Sequence, residues 1–174
     1  MEEKTQNQEQ KTSEKEINNF FDSENYNTII VNTGGHSKKE NDVGERIISL
    51  IDGKLTKEGR DEALTLIKEQ NNPDILLNSI STIENPDKKA LLIAAFWEVG
   101  FQADEHFLFF VDLVCVDHFE VALEAITVID TIENDILPSD LAKAKAMVSK
   151  KLKENPVTDA LLGDLLQFIK NRSL

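Results

Sequence analysis

From Asn41 to the end of the chain, apolar residues recur with the spacing i, i+3, i+4, i+7, in runs that end at Asn, Gly or Pro. This spacing places apolar side chains on one face of a helix, and these residue types are common at helix ends. The pattern predicts eight helices, at approximately residues 42–52, 56–70, 73–84, 86–99, 103–115, 117–133, 138–153 and 157–171. No convincing pair of strands follows residue 40. We therefore expect an all-α fold in which short linkers join sequential antiparallel helices.

Residues 1–40 are polar and show no apolar period, apart from a few residues such as Ile17 and the Ile29-Ile30-Val31 run. A segment of this kind buries too little apolar surface to offset the loss of chain entropy on folding. The sequence therefore predicts a flexible polar tail over residues 1–40 and an α-helical repeat domain over residues 41–174. Two alternatives remain open for the Ile29-Ile30-Val31 run: a short strand, or an arm that docks on the folded part.

Composition limits the classes of function. No apolar run approaches the roughly 18 residues that a membrane span needs, so no membrane association is expected. The 32 acidic and 19 basic residues give a net charge of −13, which repels phosphate backbones and favours basic partners. We therefore expect no nucleic acid ligand. A single cysteine, Cys115, excludes an intrachain disulfide framework, and the first residues lack a secretory signal, so the cytoplasm is the predicted location.

Catalytic and metal-binding patterns are weak. Cys115 and His118 have the spacing of half a zinc site, but no second Cys/His pair follows them. His106 lies nine residues before Cys115, about 13 Å along a helix, and so should not share a metal with His118. A Cys115–His118 nucleophile is conceivable, although a cysteine among apolar neighbours is more often a small buried residue. Gly34-Gly35 lacks the rest of a phosphate-binding loop. We expect no catalytic residues, metal or cofactor.

The helices show a weak internal repeat. Ala63, Ala94 and Ala125 are spaced by 31 residues, each in the middle of the second helix of a predicted pair, where a small side chain lets neighbouring helices approach. The segment NPDKKALLIAAFWEVG, residues 85–100, resembles HEAT and armadillo-like repeats. In those repeats the second helix begins after an Asn/Asp-Pro turn, carries a basic residue early and runs through a small residue to Gly. The next repeat, from Asp117, departs from this pattern because it has no Lys or Arg.

The resemblance implies a short right-handed α-α superhelix of about four antiparallel helix pairs, covering residues 42–172. It also implies that the second helix of each pair lines a concave surface that binds ligands. The helix at 103–115 and the stretch Ala90–Trp97 are apolar on almost every side, and the inner repeats of such a stack would cover them.

The charge pattern suggests where a partner binds. No Lys or Arg lies between Lys89 and Lys143, whereas acidic residues are frequent there. The 31-residue period aligns acidic residues of the helix predicted at 56–70 with acidic residues of the helix predicted at 117–133. Ile93 and Phe96, on the helix predicted at 86–99, lie between them. The predicted groove therefore has acidic sides and an apolar anchor, and its residues are Glu58, Glu62, Ile93, Phe96, Glu120, Glu124 and Thr127. The alternative is that Glu120 and Glu124 only solvate a helix face and that Phe96 belongs to the core.

Three functions follow as hypotheses. The first is a protein-binding or scaffold module that holds a basic or partly disordered protein through its acidic concave face, with no catalysis. The second is a self-associating structural protein, in which the apolar helix at 103–116 contributes to a homodimer. The third is an enzyme built on an α-solenoid scaffold.

Overall fold

The computed structural model of the protein describes residues 38–52, 55–154 and 156–173, with side chains described from residue 43 onward. Within these ranges lie eight α-helices, and no strand occurs there, so the predicted all-α fold is confirmed. The helices are α1 (Lys38–Ile51), α2 (Lys57–Gln70), α3 (Asp74–Thr82), α4 (Pro86–Glu98), α5 (Phe107–Val114), α6 (Phe119–Asp130), α7 (Pro138–Lys151) and α8 (Asp159–Arg172).

The predicted tail lies mostly outside the described residues, since residues 1–37 are not described, including the Ile29-Ile30-Val31 run. Its last three residues, 38–40, belong to α1. Internal contacts divide the chain between Glu45 and Arg46. The packing described below is that of the second unit, Arg46–Leu174.

Local chemistry sets several helix ends. The Thr56 hydroxyl accepts a hydrogen bond from the Gly59 amide at 3.2 Å and so caps α2, and the Asn85 side chain caps α4 through the Lys88 amide at 3.0 Å. Each cap provides a partner for an amide that has no acceptor within the helix. Gly100 follows α4 with a φ of +78°, a conformation in which a side chain would be strained. Thr56 and Asn85 thus begin α2 and α4, and Gly100 follows the end of α4, close to where the sequence predicts.

Helices α5 and α6 are shortened most relative to the prediction. Asp104–His106 forms a 3-10 turn, so α5 begins at Phe107 rather than near residue 103. His118 is extended, with φ −141° and ψ 116°, so α6 begins one residue after it. At the other end of α6, the Thr131 hydroxyl donates to the Val128 carbonyl at 2.7 Å, which competes with continuation of the helix.

Neighbouring and alternate helices pack against one another. The sequential pairs α3–α4, α5–α6 and α7–α8 are all in contact. Contacts also join the alternate helices α5 with α7 and α6 with both α4 and α8, and the most extensive interface in the described chain is α4–α6. The second helices α4, α6 and α8 thus form one row.

Side-chain contacts show that alternate helices run in the same direction. Asp87 at the start of α4 lies 3.7 Å from His118 just before α6, and Trp97 near the end of α4 binds Glu124 in the middle of α6. Asp117, which follows α5, binds Lys151 at the end of α7 at 2.9 Å. Parallel alternate helices occur both in stacked helix hairpins and in up-and-down bundles.

The core is richest in aromatic side chains where α4 meets α5. Phe96 and Phe110 are fully buried with ring centroids 4.9 Å apart, and Phe101 lies edge-on to Phe96 at 5.5 Å. Phe109 extends the cluster from the other side of Phe110. Tilted and edge-on geometries at these distances are favourable for aromatic pairs. This cluster holds α4 against α5.

Arg172 and Asn134 together join three segments of the chain: the end of α8, the α6–α7 linker and the turn before α5. The Arg172 guanidinium donates to the carbonyl oxygens of Ile132 and Asn134, in the linker after α6, and lies 5.0 Å from the centre of the Phe168 ring. Asn134 in turn donates to the Asp104 carboxylate at 2.6 Å, before α5. Arg172 therefore holds the end of α8 on the α6–α7 linker, a contact that the sequence pattern does not indicate.

The buried position of Phe96 gives a stability prediction. Phe96→Ala is expected to lower the free energy of unfolding by about 3–5 kcal/mol, because it removes a fully buried ring from the aromatic cluster. Urea unfolding followed by circular dichroism measures the change. The control is Phe119→Ala, whose ring is half-exposed and whose removal should cost much less. Equal effects of the two variants would contradict the placement of Phe96 in the core.

Candidate functional site

Helix α6 exposes a face that carries both apolar and acidic side chains. Its buried residues lie toward α4, α5 and α8, and include Ala122, Ala125 and Ile129. Six residues lie on the remaining side and are exposed or half-buried; they are called the α6 face: Phe119, Glu120, Leu123, Glu124, Thr127 and Asp130. Three of the six are the residues that the sequence predicts for α6: Glu120, Glu124 and Thr127.

Phe119 and Leu123 form an apolar stripe on the α6 face. They lie one helical turn apart and are 46% and 39% exposed, so two neighbouring apolar side chains of α6 remain uncovered. The sequence analysis does not select them. Apolar residues occupy most of α6, so periodicity alone does not show which two of them remain uncovered.

Glu120 and Glu124 form an acidic stripe beside the apolar one, again one turn apart. Glu124 accepts a hydrogen bond from the Trp97 indole N–H at 2.9 Å, which joins α4 to α6 and fixes the orientation of this carboxylate. Thr127 lies half-buried, and its hydroxyl donates to the Leu123 carbonyl one turn earlier in the same helix. The Thr127 hydroxyl proton is therefore used within α6.

A histidine lies between two carboxylates at the start of the α6 face. His118 Nδ1 lies 3.3 Å from Glu120 Oε2, and its Nε2 lies 3.7 Å from Asp87 Oδ1 on α4. When His118 is protonated, it pairs with both carboxylates and reduces the negative charge at this end of the face.

The other end of the α6 face carries two opposed carboxylates. Burial raises the pKa of Asp130 above its ordinary value of 3.8, and the negative charge of Asp164 on α8 raises it further. Two like charges close together favour protonation of one of them. A cation placed between Asp130 and Asp164 would therefore be attracted by both.

The acids of the α6 face are not neutralised by lysines or arginines within the described ranges. The ion pairs of those cations lie elsewhere: Arg60 with Glu98, Lys88 with Asp52, Lys143 with Asp140, and Lys151 with Asp117 and Glu154. Of the α7 lysines, Lys143 pairs within the helix, and Lys151 pairs with Asp117 before α6 and with Glu154 just after α7. Counting the described residues, the α6 face therefore keeps an excess of negative charge.

The predicted apolar anchor requires correction. Ile93 and Phe96 are 0% exposed, so they pack in the core and offer no surface to a partner. The more open positions of α4 are Asp87, Leu91 and Glu98, on the opposite side of the helix. Residues 90–96 contain no polar side chain, so the sequence does not distinguish the covered side of α4 from the open one.

The two predicted residues of α2, Glu58 and Glu62, are exposed. Glu62 lines a shallow depression with Asp61, Thr65 and Leu66. The 31-residue period aligns Arg60 with Leu91, but Arg60 binds Glu98 about two turns later, through one nitrogen to both oxygens at 2.9 and 2.7 Å. This ion pair departs from the predicted register, and among the described residues no hydrogen bond or ion pair links Glu58 or Glu62 to the α6 face.

Cys115 lies in a small cleft of about 210 Å³ between α5 and α7, with Met147 and Lys150 among its neighbours. Burial raises the pKa of the Cys115 thiol. The carboxylates of Asp112 and Glu154 also raise it, whereas the Lys151 ammonium lowers it. A thiol with a raised pKa is protonated at neutral pH and is a poor nucleophile. His118, the residue that the sequence offers as a base for this thiol, lies beside Asp87 and Glu120.

In the described part of the chain, no three His, Cys, Asp or Glu side chains are grouped closely enough to ligate a metal ion. A search of the same residues for a helix with the length and apolar character of a membrane span finds none. Comparison of the chain with protein-family models, curated proteins and solved structures finds no significant match.

The opposed carboxylates give a pH-dependent prediction. Because the pKa of Asp130 is raised in the folded protein, ionisation of this group costs folding free energy, and the cost appears as pH rises above the ordinary value of 3.8. Asp130→Asn should therefore raise the free energy of unfolding at pH 7, and with it the melting temperature. The gain in free energy should be less than about 1 kcal/mol because solvent screens this exposed pair. The gain should shrink toward pH 3.5.

Asp164→Asn is the matched control for Asp130→Asn. It should give part of the same gain, and the double variant should gain less than the sum of the two because both changes relieve one repulsion. A melting temperature at pH 7 that is unchanged or lower in Asp130→Asn would contradict the assignment.

The Cys115 thiol should react slowly with a disulfide reagent such as DTNB. At pH 8 we expect a rate below that of free cysteine, because burial and two carboxylates disfavour the thiolate. Unfolding in guanidinium chloride should restore the ordinary rate and serves as the control. A native rate above that of free cysteine would instead indicate an activated nucleophile.

Proposed function

We propose that the chain is a protein-binding module that holds a basic protein segment against the α6 face. One observation carries the proposal: an exposed apolar stripe, Phe119 and Leu123, lies directly beside carboxylates that no lysine or arginine of the described chain neutralises. Apolar contact supplies affinity, and surrounding charge supplies steering and partner selection. The net charge of −13 acts in the same direction at longer range.

The scaffold proposed for this module is a short right-handed superhelix of the HEAT and armadillo kind. Its support is the parallel row of second helices α4, α6 and α8 and the resemblance of residues 85–100 to such repeats. The row presents the α6 face between two flanking helices, where a bound segment would contact more than one repeat. We expect the module to act by binding, without catalysis, and the cytoplasm stays its predicted location.

Self-association through the same face is disfavoured by charge. In a two-fold dimer the α6 faces of two copies would meet, which would oppose Glu120, Glu124 and Asp130 of each copy. Facing like charges are costly at an interface. A basic partner therefore suits the face better than a second copy does.

Capture of partners from the native extract by the full-length chain tests the proposal. The wild type should recover a basic protein at low salt and lose it as salt rises, and Glu120→Lys should weaken the interaction by about tenfold or more, since it replaces an attraction with a repulsion. The control is Asp112→Lys, the same change of charge on α5, which should retain the partner. Equal loss with both variants would contradict the proposed site.

Glu58 and Glu62 remain predicted contacts of the same partner. Glu62→Lys in the same assay decides their part. A loss comparable to that of Glu120→Lys would place the partner across α2 as well, whereas retention would confine it to the α6 face.

A further inference from the structure

The α6 face has the pattern of a surface that receives another helix. Its apolar stripe, Phe119 and Leu123, has helical spacing, and Asp130 continues the same line two turns after Leu123. The acidic stripe of Glu120 and Glu124 runs parallel to it. The twelve residues of α6 extend about 18 Å, the length of three turns of a second helix.

We infer that the segment held by this face is a basic amphipathic α-helix of a partner protein, lying along α6; the inference rests on the proposed function. A helix that places apolar residues at i and i+4 matches the stripe of Phe119 and Leu123 turn for turn. Lysine or arginine residues beside its apolar stripe then meet Glu120 and Glu124.

The positions of the carboxylates favour cations beside the apolar stripe of that helix. Glu124 accepts from Trp97 through Oε2, its Oε1 is a second acceptor, and Glu120 lies one turn before it. Asp130, exposed at the end of α6, adds a third carboxylate to the same face. The partner helix therefore carries cations beside its apolar stripe.

Other modes of peptide binding fit less well. Strand addition needs an open sheet edge, and the described residues contain no strand. Polyproline segments dock in grooves lined by several exposed aromatic rings, whereas Phe119 is the single large aromatic residue that is exposed in the described chain.

Two synthetic peptides of identical composition, built from Leu, Lys, Ala and Gln, test the inference. In one the leucines follow helical spacing, and in the isomer they are distributed around the helix. Titration calorimetry with the full-length chain should give a dissociation constant about tenfold lower for the amphipathic peptide than for its isomer. Its ellipticity at 222 nm should show helix gained on binding.

Leu123→Ser locates the peptide. It should weaken the amphipathic peptide about tenfold and leave the isomer unchanged, because it removes apolar contact and keeps every charge. Leu137→Ser is the matched control, since Leu137 is 66% exposed just before α7, and it should have no effect. Loss with Leu137→Ser equal to that with Leu123→Ser overturns the assignment of the peptide to α6.

The experiments distinguish failure of the helix inference from failure of the proposed function. If both isomers bind equally and Glu120→Lys abolishes both, the face binds basic segments of any shape, so the helix inference is overturned and the proposed function stands. If neither peptide binds at low salt, the helix inference is overturned. If the native extract also yields no salt-sensitive partner, the proposed function fails as well.

Discussion

The packing of α6 against its neighbours is the contact on which the described structure depends. Helix α6 meets α4 in the most extensive interface, and it also contacts α5 and α8. Ala122 and Ala125 are fully buried, and their small side chains allow the helices to approach closely. Because α6 is covered on three sides, its one remaining side is held rigidly. A binding surface on such a helix needs little reorganisation when a partner arrives.

The negative charge of the α6 face follows from the composition of the middle of the chain. Residues 90–142, which include most of α4 and all of α5 and α6, contain no lysine or arginine, so the acids of this segment find few cations nearby in sequence. Some acids are paired by cations from outside the segment, as Asp117 is by Lys151 and Glu98 by Arg60. Within the described residues, no lysine or arginine pairs with the acids of the α6 face. The arrangement favours a partner that supplies the missing charge and discriminates against acidic proteins and nucleic acids.

The sequence predicts the helices and their order because helical periodicity and capping residues are local signals. Thr56, Asn85 and Gly100 act where they stand, without help from distant parts of the chain. The orientation of a helix that is apolar on nearly every side depends on which neighbours cover it, and periodicity does not contain that information. For this reason the prediction for Ile93 and Phe96 is wrong, and Phe119 and Leu123 are found only in the structure.

Long-range polar contacts are the second kind of information that local pattern lacks. Arg172 binds backbone carbonyl groups about 40 residues earlier in the chain, and no sequence motif identifies a backbone acceptor. Arg60 with Glu98 likewise departs from the register that the 31-residue period indicates. Glu120 and Glu124 do lie on one face of α6, as the sequence predicts, since spacing along one helix is a local property.

The hydrogen bond between Trp97 and Glu124 has a practical consequence. The chain contains one tryptophan, so its intrinsic fluorescence comes from a single known position. That indole is half-buried in the α4–α6 interface, and its N–H is bound to a carboxylate of the α6 face. A cation that draws the Glu124 carboxylate away changes the polarity around the ring and shifts its emission. The protein thus contains its own optical reporter for occupation of this surface, and no label has to be introduced.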